Sequence, residues 1–162
     1  MLKPRDYQLR AIEAVENAWD SGMLRPAVVL PTGSGKTITF AHLISRRKGK
    51  SLVLVHRDEL VRQAVDKIKM IGLEDVGVVK AGRNETDARV IVASFQTLFN
   101  ENRLKPLVGN IDTVVVDECH HAAAPAFLRV LDSFSTVPTV GFTATMSRSD
   151  DIGLGDVWQD VV

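Results

Sequence analysis

The sequence predicts an α/β fold, a single domain whose mostly parallel β-sheet is covered by helices on both faces. Three observations point there. Short runs rich in valine, isoleucine and leucine alternate with helical patterns along the chain, the order that builds βαβ units. The runs are apolar at almost every position, as strands buried on both sides must be. The length of 162 residues suits one domain, and a chain of that size buries roughly 70% of its unfolded surface, enough to fold without disulfides or metals.

Taken in order, Leu9, Ile12, Val15 and Trp19 recur at spacings of three and four within 6–20, one face of a helix that Ser21-Gly22 closes. Ala27–Leu30 is a short buried strand. A glycine-rich turn follows it, then a helix carrying Ile38, Phe40, Ala41, Leu43 and Ile44. Leu52–Val55 is the second strand. Asp58 is placed to cap the next helix, whose Val61, Ala64, Val65, Ile68 and Ile71 face inward and whose stop is Gly72. Val76–Val79 and Val90–Ala93 are two more strands, joined by a polar connector with Gly82 and Asn84. Thr113–Val116 is a fifth strand. Pro125 starts a helix with Phe127, Leu128, Leu131 and Phe134 inward, and Thr139–Phe142 is a sixth strand. The stretch 147–162, with Asp150, Asp151, Asp156, Asp160 and two glycines, reads as a tail.

Composition narrows the function. Twenty basic and 20 acidic side chains give no net charge, which argues against coating nucleic acid by bulk charge but leaves room for a local basic groove. Cys119 is the one cysteine, so a disulfide scaffold is excluded and a reducing, cytoplasmic setting is expected. No apolar run reaches the roughly 18 residues of a membrane span, and the opening MLKPRDYQLR has no signal-peptide core.

Parallel sheets bind ligands beyond the carboxyl ends of their strands. Pro31-Thr32-Gly33-Ser34-Gly35-Lys36-Thr37 lies there, between a strand and a helix. Its glycines let backbone N–H groups converge on phosphate oxygens, and the helix adds its N-terminal dipole. Lys36 reaches the β- and γ-phosphates, and the Thr37 hydroxyl ligates Mg²⁺. The strict pattern asks for glycine at position 30, which is Leu30 here. Asp117-Glu118 follows the fifth strand; Asp117 suits the metal side and Glu118 suits a base that orients the attacking water. Cys119-His120-His121 has no spaced partner pair for zinc, and His120 is read as a link between the carboxylates and another strand end. Hydroxyls of Thr143 and Thr145 end the sixth strand and suit sensing of phosphate loss. His56-Arg57 and Ser94-Phe95-Gln96-Thr97 end two further strands, with groups able to grip a sugar–phosphate backbone. Arg46-Arg47-Lys48-Gly49-Lys50 reads as a solvated helix end.

This ordered set resembles the first RecA-like domain of superfamily-two helicases and translocases, closest in flavour to the DEAH-type group related to type III restriction-enzyme ATPase subunits. The most specific motifs are P-T-G-S-G-K-T at 31–37 and D-E-C-H at 117–120, followed by T-A-T at 143–145. The resemblance implies a RecA-like ATP-binding domain over 1–149, with 150–162 a tail or the start of a linker to a second, absent domain. It implies ATP and Mg²⁺ as cofactors, with Lys36, Asp117, Glu118 and His120 as catalytic residues. Arg5-Asp6-Tyr7-Gln8 is similar to the adenine-reading motif, which implies that Gln8 and Arg5 contact the base. His56, Arg57, Ser94, Gln96 and Thr97 match the strand-gripping motifs, which implies a nucleic-acid partner, DNA before RNA. A second RecA-like domain, in cis or in trans, is implied as well, so that the chain alone binds nucleotide weakly, hydrolyses it slowly and does not translocate. Cys119 departs from the usual alanine and Met146 from the usual proline.

Two other classes fit a phosphate loop. A small P-loop kinase is opposed by the three strands between the loop and Asp117 and by Glu118, since transfer to an acceptor gains nothing from an activated water. The other is a non-hydrolysing, nucleotide-switched nucleic-acid-binding module, opposed by the intact set Lys36, Thr37, Asp117 and Glu118.

Overall fold

A computed structural model describes residues 3–31, 35–119, 124–144 and 159–160. The chain runs α1 (Asp6–Asp20), β1 (Pro26–Val29), α2 (Lys36–Ser45), β2 (Ser51–Val55), α3 (Val61–Met70), β3 (Val76–Lys80), β4 (Arg83–Asn84) and β5 (Val90–Ser94). It continues through α4 (Phe95–Leu98), α5 (Glu101–Leu104), β6 (Thr113–Asp117), α6 (Pro125–Asp132), β7 (Thr139–Thr143) and β8 (Gln159–Asp160). The strands form one sheet in the order β4-β3-β5-β2-β6-β7-β1-β8. Only the β3–β4 pair is antiparallel; all the others are parallel.

Strand side chains alternate between faces, and this splits the core in two. Val28, Val53, Val55, Val92, Val115 and Phe142 point to the layer of α1, α2 and α3, where they meet Ile12, Val15, Phe40, Leu43 and Ile68. Leu52, Leu54, Ile91, Val114 and Val116 point to the other layer, against Phe95, Leu98, Leu104, Leu131 and Phe134. Phe40 and Phe142 pack tilted at 59° with centroids 5.6 Å apart, so the helix after the phosphate loop is seated on β7. Each fully buried side chain of this size contributes roughly 1.5–3 kcal/mol.

The six expected strands are present, with ends shifted by a residue or so. The structure differs from the sequence reading in five places. The polar connector after β3 forms the two-residue β4. Gln159–Asp160, within the stretch read as a tail, pairs with Pro26–Ala27. Residues read as a strand-end loop form α4, because the Ser94 hydroxyl accepts from the Thr97 N–H and Phe95 and Leu98 are buried. Asp58 does not cap α3: a 3-10 turn over Asp58–Leu60 intervenes, and the carboxylate is drawn to hydroxyls on a neighbouring strand end instead. Finally, α6 is turned so that Val130, Leu131 and nearby Phe134 are buried, while Phe127 lies half-buried at the rim.

The basic run after α2 is only partly a solvated end. Arg46 forms a two-pronged contact with Glu16 at 3.0 and 2.7 Å, and the Arg47 guanidinium lies 4.7 Å over Trp19. These contacts tie α2 to α1.

Candidate active site

The loop after β1 ends on Gly35, whose φ of 77° is left-handed and favours glycine. A Cβ there would also meet Gln8 Nε2 at 2.6 Å and displace that amide from its place beside the loop. Gln8 is buried near the start of α1. Its Oε1 accepts from the Arg5 N–H at 2.8 Å, and its Nε2 donates to the Gly35 carbonyl at 3.3 Å. Thr39 braces the same carbonyl through its N–H and its hydroxyl, both at 2.9 Å. The structure thus places Gln8 as a strut between α1 and the loop. Thr32, Gly33, Ser34, His120 and Thr145 lie outside the described residues.

Lys36 opens α2, and Asp117 closes β6. The two are 81 residues apart in sequence, yet the Lys36 ammonium donates to Asp117 Oδ1 and stands 3.5 Å from Glu118 Oε2. Lys36 and Asp117 side chains are each 17% exposed and Glu118 is 35% exposed, so the carboxylates face a partly desolvated cation. Glu118 has φ 54°, the one non-glycine residue at positive φ among the described residues. A conformation of that kind costs about 1–2 kcal/mol, and such strain concentrates at functional sites. Here it turns the carboxylate back toward Lys36 at the strand end. Pro31, Gly35, Thr37 and Ala144 line the same cleft, of about 520 Å³.

Sequence reading missed the opposite wall. Gln63 and Lys67 of α3 also line this cleft; their i,i+4 spacing on the polar side of a helix was the available signal. Thr143 is buried at the end of β7, where its carbonyl accepts from the Leu30 N–H at 2.9 Å.

Cys119 is fully buried. Burial first, and then the charge of Glu118, push its thiol up to about 12. It is a neutral, small apolar side chain at neutral pH, which is why it fits where the resembling motif has alanine.

The second cluster lies beyond β2 and β5. His56 is half-buried, Arg57 and Gln96 are exposed, Thr97 is half-buried and Ser94 is fully buried. Asp58 holds them together. Its Oδ1 accepts from Ser94 Oγ and from Thr97 Oγ1 at 3.0 Å, and its Oδ2 accepts from the Ala81 N–H at 3.1 Å. Burial pushes the Asp58 carboxyl up, but the bonds from Ser94, Ala81 and Thr97 and the charge of Lys80 outweigh it and hold the group below its ordinary value. A carboxyl held low in the folded state stabilises the fold above the ordinary carboxylate value and loses that contribution as pH falls through the native value. Asp58→Ala is therefore expected to cost about 1–2 kcal/mol at neutral pH, from the buried Ser94 hydroxyl losing its acceptor. The difference from the parent should shrink in acid, as followed by denaturant unfolding at both pH values; a cost that does not change with pH would reject this account.

Among the described residues no helix is long and apolar enough to cross a membrane, and no group of three His, Cys, Asp or Glu side chains could hold a metal ion.

Comparisons with known proteins bear on the family and the fold. A family model described as "Type III restriction enzyme, res subunit" matches residues 1–148. IRC3 of Saccharomyces cerevisiae, provisionally named an ATP-dependent helicase, is 37% identical over an alignment covering 98% of this chain and 26% of that protein. The DNA 3'-5' translocase XPB2 of Sulfurisphaera tokodaii is 27% identical across 92% of this chain and 32% of its own length. The crystal structure of the UvsW helicase of bacteriophage T4 superposes with a TM-score of 0.76 at 20% identity, covering 98% of this chain and 60% of that one. The fold is thus that of RecA-like helicase domains. The chain spans about a quarter of the length of its yeast relative.

Proposed function

The chain belongs to the type III restriction enzyme res-subunit family, and from that premise we propose that it is the ATP-binding domain of a nucleic-acid-dependent ATPase, a helicase or translocase acting on DNA before RNA. The observation that carries this is the convergence of Lys36, at the start of α2, on Asp117 and Glu118 at the end of β6. A turn built only for structure needs neither the lysine nor the acidic pair.

The residues fit a magnesium nucleotide, because two carboxylates already face one cation in a cleft that Thr37 also lines. Thr37 and Asp117 would hold Mg²⁺, which when bound offsets phosphate charge as the transferred group leaves. Lys36 exchanges its carboxylate partners for β- and γ-phosphate oxygens. That exchange frees Glu118 to accept a proton from, and orient, a water at the γ-phosphate. By its motif the segment Thr32, Gly33, Ser34 and Gly35 is the one to offer backbone N–H groups to phosphate, and Gln8, which holds the Gly35 carbonyl and the Arg5 N–H, is with Arg5 the pair that the resemblance assigns to adenine. The resemblance assigns His120, Thr143 and Thr145 to coupling this centre with the neighbouring strand ends; of these Thr143 is described, buried at the end of β7.

His56, Arg57 and Gln96 are the groups offered to a nucleic-acid backbone. Ser94 and Thr97 serve it indirectly, since their hydroxyls are committed to Asp58. The printed name of XPB2 supports DNA as the partner. This chain covers 26% and 29% of its two yeast relatives, which supports a second RecA-like domain, in cis or in trans, to complete the ATPase. The single cysteine, with no disulfide framework, supports a reducing compartment such as the cytoplasm.

Phosphate release by the complete gene product tests the proposal. Single-stranded DNA is expected to raise it several-fold and RNA to raise it less; release unchanged by either, or dependent on a small-molecule acceptor, would overturn it.

A further inference from the structure

Outside the nucleotide cleft, the carboxyl ends of β2 and β5 enclose a second cavity of about 360 Å³, walled by His56, Arg57, Glu59, Gln96, Phe99 and Phe127. The nucleic-acid reading above assigns nothing to its aromatic wall. Phe127 is the centre of that wall. The His56 ring lies parallel to it, at 7° and 5.3 Å between centroids. Phe99 meets it edge-on at 90° and 5.2 Å, and the buried Phe95 supports it at 4.7 Å. Phe99 and Phe127 are only half-buried.

We propose that this cavity receives one unstacked nucleobase of a single strand, held against the rings of Phe127 and Phe99 while Arg57 takes the adjacent phosphate. The inference rests on the nucleic-acid reading and goes beyond backbone gripping, because it assigns a base-holding site. Parallel rings offer a geometry that another planar ring extends, and base–aromatic stacking tolerates any base. The polar rim is mixed. Arg57 suits a phosphate, whereas the Glu59 carboxylate would repel one but accepts from the exocyclic amine of a base. An amphoteric planar ligand attached to a phosphate satisfies both; a phosphate alone satisfies one. The cavity is also built in advance of any ligand. Asp58, bonded to Ser94, Thr97 and the Ala81 N–H, fixes the β2 loop to α4, so the two walls are held as one body. At about 360 Å³ it is at the small end of ligand clefts and admits a base but not a duplex.

The test compares a short single-stranded oligodeoxynucleotide with its abasic counterpart, which keeps every phosphate and removes the bases. Binding to the complete gene product is measured by fluorescence anisotropy. Phe127→Leu and, separately, Phe99→Leu are expected to weaken binding of the normal strand roughly 10-fold and to leave the abasic strand unaffected, with Phe127→Tyr restoring the parent affinity. Equal penalties on the two strands, or none on either, would overturn the base site while leaving the backbone reading intact. Absence of binding by the parent to both strands would overturn the nucleic-acid reading itself. The two leucine variants bear on different rings, so misfolding of one leaves the other decisive.

Discussion

Glu118→Gln is expected to retain nucleotide affinity and to lose about 10²- to 10⁴-fold in turnover, the range over which a positioned general base contributes. The amide keeps the shape of the side chain and can adopt the same backbone, so the φ of 54° and the fold are preserved. What disappears is the ability to accept a proton from the attacking water. Single-turnover phosphate release beside equilibrium nucleotide binding separates the two quantities. A variant that turns over at the parental rate would remove Glu118 from its role, and one that loses affinity in the same proportion would make it a binding residue instead.

Lys36→Ala acts on binding. Removing a partly desolvated, hydrogen-bonded charge from a phosphate site costs about 2–5 kcal/mol, or roughly 30- to several-thousand-fold in affinity. The structure adds a second effect. Without nucleotide, the Lys36 ammonium is the cation set against both Asp117 and Glu118, so the substitution leaves two carboxylates facing each other. The unliganded protein should lose about 1–3 kcal/mol of stability. Asp117→Asn should recover part of that loss in the Lys36→Ala background, although it weakens function on its own. Such non-additivity is what directly interacting groups show. Denaturant unfolding of the two single variants and the double variant reads the coupling, and titration with a fluorescent nucleotide reads the affinity. Unchanged affinity would remove the phosphate-loop assignment.

The sheet was legible because its strands are nearly uninterrupted apolar runs with turn residues between them, as in Leu52–Val55 and Thr113–Val116. Glycine and lysine spacing placed Lys36, and the acidic pair after an apolar strand placed Asp117 and Glu118. Three features were not legible, for related physical reasons. Asp58 looked like a helix cap because a cap is a local property, whereas its partners Ser94 and Thr97 are 36 and 39 residues away. Gln63 and Lys67 were passed over because periodicity identifies the inward face of α3 and says nothing about what its flank borders. Phe127 was counted as core because it is apolar and in phase, but phase carries an error of a fraction of a helical turn. That fraction separates the buried Val130 from a ring at the rim.

The strand order has one further consequence. Strands β6, β7 and β1 end at the cleft lined by Asp117, Ala144 and Pro31, while β5 and β2 carry the cavity walled by rings, and β2 is the direct neighbour of β6, with Leu54 opposite Val116. Neighbouring strands are about 4.8 Å apart. The two clefts therefore meet at a single seam with no strand interposed, so that one rung of the ladder, Leu54 to Val116, lies between the chain leaving β2 at Val55 and Asp117 at the end of β6.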